Sequence, residues 1–193
     1  MATHRAIAAL SRAILGLMKE RYAEAESASA EFKLYQAKDF GSPMSEGFSL
    51  FLYHVTLNTT LRNPPLRRSP DGRRFRPSLP LDLHYLLTPW AADAERQQRM
   101  LGWAARFMED NTSLPAFVIN RYADADDVFP PGDTIELACE SLALSDFLGL
   151  WDKLGPGLET SIAYVARAIQ IDSEVELSDA DRARAGGGPG PAP

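Results

Sequence analysis

GFSLFLYHVTLN (Gly47–Asn58) and LPLDLHYLLT (Leu79–Thr88) decide how this chain is read. The core of the first run, SLFLYHV, is apolar on both alternating faces. Such a strand belongs inside a sheet that is covered on both sides. The two runs are joined by Thr59–Ser78, where Pro64, Pro65, Pro70 and Pro77 exclude helix and central strand. Asp71-Gly72 in that connector is a strong hairpin-turn dipeptide. The expected unit is therefore two long antiparallel strands with a hairpin that juts past the end of the sheet. Arg62, Arg67, Arg68, Arg73, Arg74 and Arg76 make the hairpin cationic, with only Asp71 in opposition.

The other elements are built outward from this unit. Ile7, Leu10, Ile14, Leu17, Met18 and Tyr22 recur at helical spacing, which predicts a helix over Thr3–Glu26 with Thr3 as N-cap. Glu31–Ala37 alternates, and predicts a strand that buries Phe32 and Leu34. Met100, Trp103, Ala104, Phe107 and Met108 form the stripe of a helix over Ala92–Asn111, with Asp93 and Glu95 at its start. Leu114–Asp127 fits a short helix that ends near Asp124. Thr134–Leu142 has a period of two, and Ser161–Ile171 reads as the last strand. Between them Leu144–Leu154 is a helix with Ser145 as its expected N-cap, stopped by Gly155-Pro156-Gly157. The sum is an α+β fold with a mixed, mostly antiparallel sheet flanked by helices. Residues 1–173 form one domain. Residues 174–193, which end in GGGPGPAP, read as a disordered tail.

Composition narrows the function. The 193 residues carry a formal charge of −6, so a nucleic-acid partner for the whole surface is disfavoured. No apolar run reaches the roughly 18 residues that a membrane span needs. Charged residues interrupt the N-terminal segment, so it does not read as a signal peptide, and a cytoplasmic protein is expected. The single cysteine, Cys139, excludes an internal disulfide and is expected to be buried and inert. No phosphate loop and no nucleophile elbow is present. His54 and His84 sit on the two long strands as potential cross-strand neighbours. Asp82 shares a face with His84, so a metal or acid–base site is one reading and hydrogen-bonded structural histidines the other. Asp124, Asp126 and Asp127 lack the ligand spacing of a calcium loop and read as a solvated acidic turn. No catalytic residue, cofactor or metal is expected, and the chain reads as a non-enzyme.

The arginine hairpin is the one feature with directional charge. It is open to three readings: a solvated loop, a contact with an acidic protein surface, or a nucleic-acid module in which Phe75 meets bases. The proposed interface set is Arg62, Arg67, Arg68, Arg73, Arg74, Phe75 and Arg76.

The central run also carries a resemblance. Phe51-Leu52-Tyr53, Val55, Asn58, Leu61-Arg62-Asn63, Arg76-Pro77 and Leu81-Asp82-Leu83-His84-Tyr85-Leu86-Leu87-Thr88 resemble the N-terminal domain of cap, or tail-terminator, proteins of contractile injection systems. Met100-Leu101-Gly102, the helix from Leu144-Ser145-Asp146 to Leu150-Trp151, and Ser161-Ile162-Ala163-Tyr164 extend the likeness over Ala6–Ile171. These systems are phage-tail-like particles. The resemblance implies a phage tail-terminator-like fold and a homo-hexameric ring on the distal end of the inner tube and sheath. No cofactor and no membrane partner is expected. The alternative is an adaptor or nucleic-acid-binding module acting through the basic hairpin 62–76.

Overall fold

The computed structural model describes residues 2–25, 29–61, 66–69, 71–125, 128–155 and 157–177. Its centre is the predicted pair: β2 (Gly47–Leu57) runs antiparallel to β5 (Leu79–Trp90). Six strands form the sheet. With β1 (Glu31–Tyr35), β6 (Ser113–Pro115), β7 (Thr134–Glu140) and β8 (Ile162–Ile171), the order is β1-β2-β5-β8-β7-β6. Only the β1–β2 pair is parallel. The mixed, mostly antiparallel sheet and the α+β class are as expected.

Helices cover both sheet faces, which is why β5 can be apolar on both. On one face lie α1 (Ala6–Ala25), α2 (Ala94–Asp110) and the short α3 (Ala116–Arg121). They bury Phe48, Leu50, Leu83, Tyr85 and Leu87 of the sheet. Tyr22 of α1 is the hinge of this layer, packing edge-on against Phe48 at 5.2 Å and Trp103 at 4.7 Å. The other face carries α4 (Leu144–Leu154) and a 3₁₀ turn (Ala37–Gly41). Here Phe40, Trp151 and Leu154 close over Leu86 and Trp90.

Several details depart from the expected pattern. In β1, Tyr35 is buried and Leu34 is 45 % exposed, because the edge strand has no helix over its Leu34 side at that point. Cys139 is exposed, since it lies at the end of β7 beyond the helical cover that buries Ile135 and Leu137. Ser145 does not cap α4; Ala143 occupies that position without a side-chain bond. By contrast, Asp93 caps α2 as its position suggests, accepting from the Arg96 N–H at 2.8 Å.

Two bulges shift the alternation. One lies in β2 between Leu52 and His54, and the other interrupts the β5–β8 register between Leu81 and Leu83. The β8 bulge holds Ala168 at φ +58°, a left-handed conformation unusual for a residue with a side chain. Beyond it Ile169 turns into the core in place of Ala168, so the alternation that buries Tyr164 and Ala166 breaks at the bulge.

Gly47 marks the sharpest backbone constraint. Its φ is +154°, and a Cβ there would lie 2.2 Å from the Glu31 carbonyl oxygen where β1 meets β2. Gly47→Ala is expected to lower stability by about 1–3 kcal/mol through overpacking against rigid backbone. Urea denaturation measures this, and a midpoint equal to wild type would refute the account.

Candidate interaction surface

The basic hairpin folds as the Asp71-Gly72 signal predicts. Two short strands, β3 (Arg67–Arg68) and β4 (Arg74–Phe75), pair antiparallel. The Gly72 N–H donates to the Ser69 carbonyl at 2.9 Å, and the Ser69 N–H to the Arg73 carbonyl at 2.9 Å. Gly72 sits at φ +86°, where a side chain would be strained. Asp71 accepts from the Arg73 Nε–H at 2.6 Å, and this contact holds its carboxyl below the usual carboxylate range.

The hairpin is not a free arm. The Arg76 N–H donates to the Val175 carbonyl at 3.1 Å, and the Leu177 N–H donates to the Arg74 carbonyl at 2.8 Å. Phe75 pairs with Glu176 as an antiparallel bridge. Residues 174–177, assigned by the sequence reading to the tail, therefore extend the hairpin into a three-stranded ribbon; residues 178–193 lie outside the described residues. At its foot the Ser78 hydroxyl donates to Asp172 at 2.5 Å.

The proposed interface residues separate here. Arg68 and Arg76 are exposed and Arg74 is half-buried, and none of the three has a carboxylate partner among the described residues. Arg73 is committed to Asp71. Phe75 is 8 % exposed, packed into the ribbon rather than offered to a partner. That removes the aromatic on which base stacking would depend. Arg62 lies outside the described residues, and of Arg67 only the backbone is described. In the acidic turn, Asp124 is paired with Arg12 of α1, while Asp126 and Asp127 lie outside the described residues.

The histidines belong to a second cluster, on the sheet face beyond α4. His54 and His84 are register partners with ring centroids 5.4 Å apart. His84 Nδ1 lies 2.9 Å from Glu140 Oε2, and its Nε2 is 3.0 Å from the Thr56 hydroxyl. The Tyr53 hydroxyl donates to the same carboxylate at 2.9 Å. Glu140 comes from β7 and reaches β5 across β8, where its register partner is the small Ala163. The order carboxylate–imidazole–hydroxyl is that of an acyl-transfer relay. Thr56 is the register partner of Asp82 on β5, so the bond to His84 ties β2 to β5 beside their backbone ladder. The group links strands from β2 to β7 across the sheet.

Asp82 does not join the histidines. It accepts from the Ala168 N–H at 2.8 Å and from Asn58 Nδ2 at 3.0 Å, so its carboxylate holds the β8 bulge and the root of the hairpin. No group of three or more metal-ligating side chains occurs among the described residues. Neither Glu140 nor Tyr53 stands out in the sequence, because their partner is three strands away in space. The register bulge that turns His54 toward His84 has no sequence signal either.

Two outcomes check these roles. Asp82→Ala leaves the Ala168 N–H unpaired and is expected to cost about 1–3 kcal/mol by denaturant titration; wild-type stability would remove the anchoring role. Burial, reinforced by the Glu140 carboxylate, pushes the Tyr53 phenol well above its usual range. Folding thus favours the protonated phenol, a contribution present below about pH 10 and lost as pH rises through the folded value. In Glu140→Gln, phenolate absorbance should show Tyr53 ionising at lower pH than in wild type. An unchanged titration would disprove the coupling.

The comparisons with known proteins agree with this architecture. No curated protein is a significant sequence match. The sheath/tube terminator of PVC, an extracellular contractile injection system, in its extended state, superposes with a TM-score of 0.55 at 16 % identity. The match covers 84 % of this chain and 57 % of that one. The tube-terminating cap of the anti-feeding prophage gives 0.51 at 19 % identity, covering 84 % and 53 %. The chain thus spans little more than half the length of either structure, and the likeness is one of fold. The sequence profile described as the Pvc16 N-terminal domain matches residues 9–184, from early α1 to beyond the ribbon strand. A match over nearly the whole chain places it in a family: this protein belongs to the Pvc16 N-terminal domain family.

Proposed function

We propose that this chain is a structural cap of a contractile injection particle. It would sit on the distal end of the inner tube and sheath, end their growth and join them. The observation that carries this reading is the shared fold with two terminator caps over 84 % of the chain, coupled to membership of the family. The reading is non-enzymatic, and its site of action is the assembled particle.

The charge distribution supports a ring of identical subunits, six by the resemblance. Six of the 20 Lys and Arg lie in residues 62–76 with a single acid, so the remaining 14 face 25 acids. A cationic ribbon on an otherwise acidic subunit favours heterologous contact, in which one patch meets a different patch on the next copy or on the tube or sheath below. Such rim charges add only about 0–1 kcal/mol per exposed pair. Their larger effect is on orientation and rate of encounter.

Particles made without this chain are expected to show uncontrolled length or to fall apart, as read from electron micrographs of particle ends. Particles of normal length and intact ends would sink the cap assignment. Charge reversal at Arg68, Arg74 and Arg76 together is expected to weaken incorporation into particles by about tenfold or more while leaving the melting temperature unchanged. Full incorporation would return the arginines to the role of a solvated surface.

A further inference from the structure

Strand β1 is much shorter than the strand it pairs with. It covers β2 only from Gly47 to Phe51, after which the chain turns away into the 3₁₀ turn. From Leu52 to Leu57 the outer side of β2 has no strand partner among the described residues. The register with β5 shows which groups point there. The Asn58 N–H donates to the Pro80 carbonyl at 3.0 Å. Alternate residues of a strand direct both backbone groups to the same side. His54 and Thr56 therefore face β5, while Val55 and Leu57 direct N–H and C=O outward. The same two residues are apolar and open to solvent, Val55 by 40 % and Leu57 by 63 %. Natural sheet edges usually avoid an unpaired backbone flanked by exposed apolar side chains.

Charge and a local precedent define what fits. Beyond Leu57 the chain leads into the ribbon, where Arg68, Arg74 and Arg76 have no carboxylate partner among the described residues. That ribbon already holds an extended segment in which acids and apolar residues alternate, Glu174-Val175-Glu176-Leu177, on the edge of β4.

We propose that the outer edge of β2 at Val55–Leu57 accepts an extended strand from a partner protein. That strand has apolar side chains on the positions that meet Val55 and Leu57, and carboxylates toward the end nearest the arginine ribbon. Strand addition of this kind draws affinity from main-chain hydrogen bonds and specificity from alternate side chains. The acceptor edge is a property of the fold and holds whatever the chain caps.

The test is a backbone-amide NMR titration of the full chain with a synthetic peptide, DSEVELSDAD, the sequence of residues 172–181. The Val55 and Leu57 amides are expected to shift and to exchange more slowly with solvent. Leu57→Pro removes an outward donor at a position where an edge strand tolerates proline. It should weaken binding about five- to tenfold, the factor for one lost hydrogen bond. Leu57→Ala should keep the Val55 response. If Leu57→Pro fails to fold, as judged by its melting curve, Val55→Asp takes its place and should abolish the response at the Leu57 amide by setting a charge against the apolar side chain of the added strand. Unmoved Val55 and Leu57 amides at saturating peptide would overturn the proposal. So would protection of these amides that rises with protein concentration in the absence of peptide, which assigns the edge to a second copy.

Discussion

The antiparallel pairing of β2 with β5 is the constraint on which the other elements depend. From Gly47 to Leu50 β2 is buried on both faces, as is most of β5, so this part of the pair cannot lie against water on either side. Full burial of one Leu or Phe side chain is worth about 1.5–3 kcal/mol, and Phe48, Leu50, Leu83, Leu86 and Leu87 are all essentially buried. That demand draws α1 and α2 to one face and α4 with the 3₁₀ turn to the other. It also fixes where the basic hairpin emerges, because the chain between two paired strands must leave from the end of the sheet they share.

The same pair explains what was legible in the sequence. Apolar runs and helical stripes report burial, and burial assigns elements, so the long strands and α1, α2 and α4 were predicted close to their observed bounds. Asp71-Gly72 was equally direct, since φ +86° at the second position needs glycine. Faces were harder to read. A bulge adds one residue without changing composition, and the shift at Ala168 moves Ile169 into the core while the sequence still alternates smoothly. Edges were harder too. Leu34 and Cys139 continue an alternating pattern past the point where a helix covers it, and pattern alone does not show where cover stops.

Function was legible at a different level. The residues of Asp82-Leu83-His84-Tyr85 are distinctive enough to carry a family resemblance, and the match of the Pvc16 N-terminal domain over residues 9–184 bears it out. Their polar side chains bond across the sheet. Asp82 secures a strained bulge, and His84 is held by Glu140 from β7 and Thr56 from β2. A carboxylate and a histidine two residues apart invite a catalytic reading. In this sheet both make hydrogen bonds that join strands, Asp82 to β8 and His84 to β7 and β2.

The cationic ribbon is fixed by the fold itself. A free loop rich in arginine would lose substantial conformational freedom when it met a surface, offsetting much of the small gain from each exposed ion pair. Here the loss is already met in folding. Backbone bonds from Arg76 to Val175 and from Leu177 to Arg74 fix the ribbon, Phe75 is packed into it, and Ser78 ties its foot to Asp172. Arg68, Arg74 and Arg76, which have no carboxylate partner among the described residues, are thereby carried on a stiff backbone. Weak charges placed this way add little affinity singly, but they select one orientation of a partner over others.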